Sequence, residues 1–248
     1  MTDISARFAE SQFRVGAVLN RSSSVLSRNF LTFFIVTIVA YLPLLLVPGA
    51  TTDVSPEPSG ISVGLIFLGA FLTMVLGMLS QAVVLYGAFQ DMRGRRVNLA
   101  ESLKVGLRRF FPIVGLAIIM SFGMMLGFIL LIVPGLILFA MWFVATPACV
   151  VEQLGPLRSL GRSSQLTKGH RWKVLGLFIV LLLISAVIGG GLSVMLRQMG
   201  SPILTAVGSL VWNGVWGALY SIAVVVTYHD LRVAKEGVDI EHIAAVFD

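Results

Sequence analysis

Long apolar stretches without a charged residue dominate the chain and limit what it can fold into. The longest runs from Phe110 to Val151, 42 residues without Asp, Glu, Lys or Arg. One membrane-spanning helix needs only about 20 such residues, so this stretch predicts two spans. Further apolar stretches occupy residues 30–47, 61–90, 174–196 and 202–228.

The composition agrees with a chain that is solvated by lipid. Hydrophobic residues make up 57% of the 248 residues and charged residues only 12%. That charged share is about half the share usual in soluble domains, and a chain of this length cannot bury so much apolar surface in water. The single cysteine, Cys149, lies in an apolar stretch and predicts a packing residue rather than a disulfide.

Proline and glycine divide the longest stretch. Pro134 and Gly135 in "IVPGLI" predict a tight hairpin, which gives spans at 110–132 and 135–151. Ser201 and Pro202 predict the start of the last span, with serine as N-cap and proline at the first helical position. Backbone polar groups in lipid must be satisfied within their own segment. We therefore expect one all-α integral membrane domain over residues 1–248, a bundle of six transmembrane helices.

The start of the chain favours a retained first span. The first apolar stretch begins only near Phe30 and is too long for the apolar core of a cleavable signal peptide. We therefore expect no removable leader before it.

The positive charges fall on one side of such a bundle. Of the 18 Lys and Arg residues, 17 lie in the N-terminal segment, in 91–109, in 152–173 and in the C-terminal tail. The opposite side holds only Arg197. Cytoplasmic loops carry the excess of Lys and Arg, so both termini are expected in the cytoplasm. The net charge of +6 is therefore interpreted as topological, and no nucleic-acid partner is expected.

Two short segments resemble each other and suggest an internal repeat. "LNRSSSVL" at 19–26 aligns with "LGRSSQLT" at 160–167, and "LAESLKVG" at 99–106 is a weaker third copy. Each copy precedes an odd-numbered span. The sequence therefore predicts three units, each an amphipathic segment followed by two spans, and such repeats can frame a site between copies.

The amphipathic segments have the composition of interfacial helices. In the middle segment Asn98 is the expected N-cap, with Glu101 three residues later as in a capping box. Leu99, Leu103 and Leu107 share one face, so we expect this helix to lie in the membrane interface.

Arginine next to serine in the first and third segments suggests contact with lipid phosphate. Guanidinium groups match phosphate geometry, and neighbouring hydroxyls add donors. The alternative is that these charges only set the orientation of the spans. The candidate residues for contact with an anionic lipid headgroup are Arg21, Ser22, Ser23, Arg158, Arg162, Ser163, Ser164 and Lys168.

No pattern in the chain predicts catalysis, a metal or a cofactor. The spans contain no Asp, Glu, Lys, Arg or His, although ion-coupled transporters usually keep such groups at membrane depth. Glu152 is expected to pair with a basic neighbour such as Arg158. Asn213, between two tryptophans, is the polar span residue with the strongest claim to a function. The glycines at 189–191 predict close helix packing or a loosened helix end.

Three motifs carry a resemblance to a known family. They are the Pro-Gly hairpin, the "VVEQLGPLRSLGRS" exit and the "LTKGHRW" entry, and the "DLRVAKEG" tail is similar too. The chain resembles a broad family of six-span bacterial inner-membrane proteins related to the membrane domain fused to some glycerophosphodiester phosphodiesterases. The resemblance implies the fold and a bacterial inner-membrane location. The chain ends at Asp248 without a hydrolase domain, so phosphodiesterase activity is not expected.

These observations favour a non-enzymatic inner-membrane protein of envelope or lipid homeostasis, with membrane lipids as partners. A transport or lipid-moving protein with a polar groove between repeats is the alternative. An enzyme acting on lipid headgroups is a third reading, and it would need Asp91, Glu152, Asp230 and the histidines to cluster. The oligomeric state stays open.

Overall fold

The computed structural model describes residues 13–43 and 60–236, and every regular element in these ranges is helical. A short π-helical segment occupies Ser185–Gly189. The α-helices of the described residues are α1 Val15–Arg28, α2 Phe30–Tyr41, α3 Gly60–Met92, α4 Leu99–Leu130, α5 Ile132–Trp142, α6 Ala145–Val151, α7 Pro156–Thr167, α8 Arg171–Ile184, α9 Gly190–Gln198 and α10 Pro202–Glu236.

Five helical segments within the described residues are long and apolar enough to cross a membrane. They are α3 from Val63, α4, α5 with α6, α8 to α9, and α10. A sixth is possible if α1 and α2, which meet at 90°, count as one broken segment. The predicted end of the first span at Pro48-Gly49 lies outside the described residues.

The first helix lies across the bundle. Its face with Val18, Ser22 and Val25 is fully buried, while Arg21 and Arg28 lie on the exposed side. The buried face packs mainly against α10. The apolar side of the amphipathic helix α1 is therefore covered by other helices of the protein.

The middle amphipathic segment is not a separate helix. Asn98 caps α4 as predicted, because its side-chain oxygen accepts a hydrogen bond from the backbone N–H of Glu101 at 3.1 Å. From Leu99 the helix then runs without a break to Leu130, with Pro112 inside it. The expectation of an interfacial helix in this segment is therefore wrong. At about 1.5 Å per residue its 32 residues exceed a ~30 Å hydrocarbon layer, so the charged end projects beyond it.

The predicted hairpin at Pro134-Gly135 is displaced to Leu131. Leu131 is extended between α4 and α5, with φ −169° and ψ 156°. Pro134 falls in the first turn of α5, where a backbone N–H has no acceptor within the helix in any case. Gly135 is helical and instead allows close packing, since a Cβ there would lie 2.5 Å from Cδ1 of Phe128.

The π-helical segment replaces the loosened helix end predicted at the glycine triplet. Gly189 is its last residue, and a Cβ there would lie 2.6 Å from Nε1 of Trp212. The triplet therefore combines close packing with a local widening of the helix, a feature found often near functional sites.

Burial is concentrated at one end of the bundle. The larger core cluster joins residues of α1, α2, α3, α8 and α10. At the other end the apolar side chains of α4 and of the π segment with α9 are largely exposed, as expected for surfaces that face lipid. We call the packed end, which carries α1, α7 and the turn at 93–98, the basic end.

Candidate functional site

The first Arg-Ser-Ser segment lies on α1 and is engaged by the protein itself. Nη1 of Arg21 lies 2.6 Å from Oδ1 of Asp230 in α10. Ser22 is fully buried, and its hydroxyl donates to the carbonyl of Val18 at 2.7 Å. Ser23 is exposed and donates to the carbonyl of Asn20. Of these three side chains, only Ser23 and part of Arg21 remain accessible from outside.

The second Arg-Ser-Ser segment lies on α7 and is engaged more fully. Nε of Arg162 lies 2.9 Å from both carboxylate oxygens of Glu152. Ser163 has no exposed surface and donates to the carbonyl of Met141 at 2.7 Å. Ser164 is half-buried, whereas Arg158 and Lys168 are exposed. Burial therefore removes Ser22 and Ser163 from contact with a headgroup, because neither hydroxyl reaches the surface.

Five side chains at the basic end form a closed ring of polar contacts, which we call the Glu152 ring. Arg162 also pairs with Glu236, and Nε of Arg232 lies 3.0 Å from the second oxygen of that carboxylate. Nη1 of Arg232 donates to the Tyr228 hydroxyl at 3.3 Å, and this hydroxyl donates to Glu152 at 2.6 Å. The two arginines and two glutamates balance in charge.

The charges of this ring hold one another ionised. Burial works against ionisation of Glu236, but the hydrogen bonds from Arg162 and Arg232 outweigh it and hold the pKa of the carboxyl below its ordinary value. Burial likewise opposes the charge of Arg162, whose pKa is nevertheless raised by Glu152 and Glu236. Glu152 pairs with a basic neighbour as expected, but the partner is Arg162, one helical turn beyond the Arg158 given as the example.

Sequence reasoning missed Tyr228, Arg232 and Glu236 as partners. A local signal existed for the last two, since Arg232 and Glu236 are four residues apart on one helix face. Their contact with α7 depends on how distant segments pack. That information is absent from any local pattern.

Two further acids, Asp91 and Asp230, lie near the ends of apolar helices and also pair with arginine. Oδ2 of Asp91 lies 2.6 Å from Nη2 of Arg28, and its other oxygen accepts from the Asn29 amide. With Arg21–Asp230 and Arg162–Glu152, three arginines of α1 and α7 are paired with acids at the ends of apolar segments. Asp91, Glu152 and Asp230 thus lie in separate ion pairs and form no common acidic cluster.

Several cations of the basic end make no ion pair within the described residues. Arg158 is exposed in the first turn of α7, and Lys168 and Lys173 are exposed on either side of the start of α8. Trp172 is 79% exposed between two basic residues, and Leu157 is 72% exposed beside Arg158. We call these five side chains the basic rim. Amphipathic indole rings and cationic side chains of this kind are typical of the membrane–water boundary.

A polar pocket lies between α2, α3 and α10. Its volume is about 220 Å³. The lining residues are Thr37, Tyr41, Gly77, Ser80, Gln81, Gly217, Tyr220 and Ser221. Asn213, singled out from the sequence, does not line it, because its amide donates to the carbonyl of Ser209 one turn earlier.

The described residues define the class of protein. They form an all-helical bundle with five or six segments able to span a membrane, which is consistent with a multi-pass membrane protein. The chain belongs to the DUF7847 family, a domain of unknown function, and the family's sequence model matches residues 13–231. No curated protein and no solved structure matches the chain.

Proposed function

We propose that the protein is a non-enzymatic protein of the bacterial inner membrane that acts in envelope or lipid homeostasis and holds anionic lipid at its basic rim. The observation that carries the proposal is the contrast between two sets of cations. Arg21, Arg28 and Arg162 are neutralised by acids, whereas the exposed Arg158, Lys168 and Lys173 have no ion pair among the described residues. Exposed cations beside a span attract anionic lipid with about 1 kcal/mol each.

The orientation follows from the same charges. Six spans with both termini in the cytoplasm would place the basic rim at the inner leaflet, where anionic headgroups carry the negative surface potential. The exposed Leu157 of α7 and Trp172 of α8 would then lie at headgroup level and hold the starts of these two helices against the membrane.

The threefold repeat remains part of the proposal. Ser22, Ser102 and Ser163 occupy the same position in the three aligned segments, and all three are fully buried. Ser22 and Ser102 each donate to the carbonyl four residues earlier. Shared burial of one polar position supports a common origin of the units. The relationship to the phosphodiesterase-fused membrane domain rests on the sequence motifs alone.

Lipid retention tests the basic rim. The full chain, purified in detergent, is mixed with phosphatidylglycerol, and bound lipid is measured by native mass spectrometry. Replacing Arg158, Lys168 and Lys173 with Gln should weaken retention by ~1 kcal/mol for each lost charge. The matched control is Arg21→Lys with Arg162→Lys, which should keep full retention because acids hold both positions. Unchanged retention in the Gln variant would refute binding of lipid at the basic rim. A loss of retention in the control would mean that Arg21 and Arg162 contact the lipid.

The polar pocket favours a second candidate, a protein that moves a solute or lipid between its repeats. Uncharged polar side chains line the pocket where a packed apolar core would be expected. Because the predicted spans contain no ionisable residue of the Asp, Glu, His, Lys or Arg type, such movement would not be coupled to protons through them. Proton-coupled uptake by pure protein in liposomes would contradict this mechanism.

A further inference from the structure

The pocket between α2, α3 and α10 has walls that are fixed by hydrogen bonds between helices. The Thr37 hydroxyl lies 2.7 Å from the carbonyl of Gly214, which joins α2 to α10. The Ser80 hydroxyl donates to the carbonyl of Val36 at 3.2 Å, which joins α3 to α2. These two hydrogen bonds fix α2 against α10 and α3 against α2. The space between the three helices is therefore determined by specific contacts.

Two other polar groups of the pocket have no side-chain hydrogen bond to any residue that the structure describes. Neither the Gln81 amide nor the Tyr220 hydroxyl makes a side-chain hydrogen bond to another described residue, although both line the pocket. Polar groups at membrane depth are costly without a partner. A pocket of about 220 Å³ has room for roughly seven waters at ~30 Å³ each, or for a small polar group of a ligand.

In a membrane spanned by these helices, the pocket would lie inside the hydrocarbon layer. Thr37 and Tyr41 lie seven and eleven residues after Phe30, the first residue of α2. At about 1.5 Å per residue this is roughly 10–16 Å from the basic end of the helix. Gln81 lies eleven residues before Met92, the end of α3, and hence at a similar depth. Exposed Val39 and Met74 on the same two helices show that lipid-facing surface lies nearby.

The lining carries no charge, and this limits the ligand. Its polar members are hydroxyl, phenol and amide groups, which both donate and accept hydrogen bonds. A phosphate or carboxylate would lose its hydration at this depth without gaining a cation. An uncharged hydroxyl group can satisfy the same donors and acceptors at lower cost.

We propose that this pocket binds the uncharged, hydroxyl-bearing headgroup of a neutral lipid. The inference deepens the second candidate function and is independent of the basic rim. Gln81 and Tyr220 donate to the ligand oxygen, while the acyl chains leave along the lipid-facing sides of α2 and α3.

Gly77 offers a way to fill the pocket without disturbing its walls. A Cβ at Gly77 would meet no atom within 4 Å, so Gly77→Leu extends into the open space. Gly64 lies on the same helix, is exposed and has equally open surroundings, which makes Gly64→Leu the matched control. Tyr220→Phe and Gln81→Leu remove the proposed donors and provide independent variants.

The test uses the full chain in detergent and measures the thermal unfolding midpoint as ligand is added, since a ligand that binds only the folded state raises it. The probes are dioleoylglycerol, free glycerol and dioleoyl phosphatidic acid. Dioleoylglycerol should stabilise the wild type and Gly64→Leu but not Gly77→Leu. Its affinity should fall roughly tenfold in Tyr220→Phe and in Gln81→Leu, as expected for a lost buried hydrogen bond.

Each other outcome is decisive. Stabilisation by dioleoylglycerol that persists in Gly77→Leu, or none in the wild type, would overturn the proposal. If free glycerol alone stabilises the protein, with the same dependence on Gly77, the ligand is not a lipid. The preference of the pocket for an uncharged hydroxyl group would then still hold. Phosphatidic acid binding that depends on Gly77 would overturn the requirement for an uncharged group. Phosphatidic acid binding that depends on Arg158, Lys168 and Lys173 and not on Gly77 would support the proposal, because the uncharged pocket then excludes the phosphate.

Discussion

Nε of Arg162 lies 2.9 Å from both carboxylate oxygens of Glu152, ten residues earlier in the chain. The pair joins α7 to the end of α6 and is one of the contacts of the Glu152 ring. Removing one partner leaves the other charge partly buried and unpaired, which costs more than the pair contributes in net stability.

The first prediction concerns this pair. Arg162→Ala should lower the free energy of unfolding by on the order of 2 kcal/mol, because Glu152 loses the arginine it is paired with and Glu236 keeps only Arg232. Arg158→Ala removes an exposed arginine from the same helix and should cost less than ~1 kcal/mol. Denaturation of both variants in the same detergent measures the difference. Equal losses would show that the ring does not hold α7 in place.

A second prediction follows from the lowered pKa of Glu236. The stabilisation by this carboxylate is fully present above its ordinary pKa of 4.5 and is lost as the pH falls through the lower folded-state pKa. The unfolding midpoint of the wild type should therefore decline between about pH 5 and pH 3, and Glu236→Gln should decline less. Parallel curves for the two proteins would contradict the pairing with Arg162 and Arg232.

Close packing of α4 on α5 gives a third prediction. A Cβ at Gly127 would lie 2.8 Å from Cδ1 of Leu138 and 3.1 Å from the backbone Cα of Gly135. Gly127→Ala should therefore destabilise the protein by roughly 1–3 kcal/mol through overpacking. Gly176→Ala, where a Cβ meets nothing within 4 Å, is the control and should be close to neutral. An unchanged unfolding midpoint in Gly127→Ala would mean that the two helices separate more easily than their contact suggests.

The fourth prediction tests the orientation. Reporter fusions at Pro56 and near Gly200 should be periplasmic, and fusions after Gly94, Gly169 and Asp248 should be cytoplasmic. Fusions report the side of the membrane directly, independent of any assumption on span boundaries. A periplasmic reporter at Asp248 would require an odd number of spans.

Local sequence patterns predicted the helix starts well. The Asn98 cap is confirmed, and α10 begins at Pro202 with the Ser201 hydroxyl accepting from the backbone N–H of Leu204. Both features depend on residues within one helical turn. The position of the hairpin was wrong because Pro134 is compatible with the first turn of a helix as well as with a turn.

The partners of the arginines were beyond local patterns. Arg21 and Asp230 are separated by 209 positions, and only the packing of α1 on α10 brings them together. The buried serines were misread for a similar reason, since serine beside arginine suits a headgroup as well as a helix interface. A polar groove between repeats was one alternative from the sequence, but no local pattern showed that α2, α3 and α10 would line it.

The packing of α1 on α10 also has a consequence for biosynthesis. Translation proceeds from α1 towards α10. Arg21 is therefore synthesised 209 residues before its partner Asp230. A product that stops short of residue 230 leaves the face of Val18, Ser22 and Val25 uncovered. The helix made first therefore reaches its packed position only after the helix made more than 170 residues later has been inserted, on the order of ten seconds or more at ~5–20 residues per second.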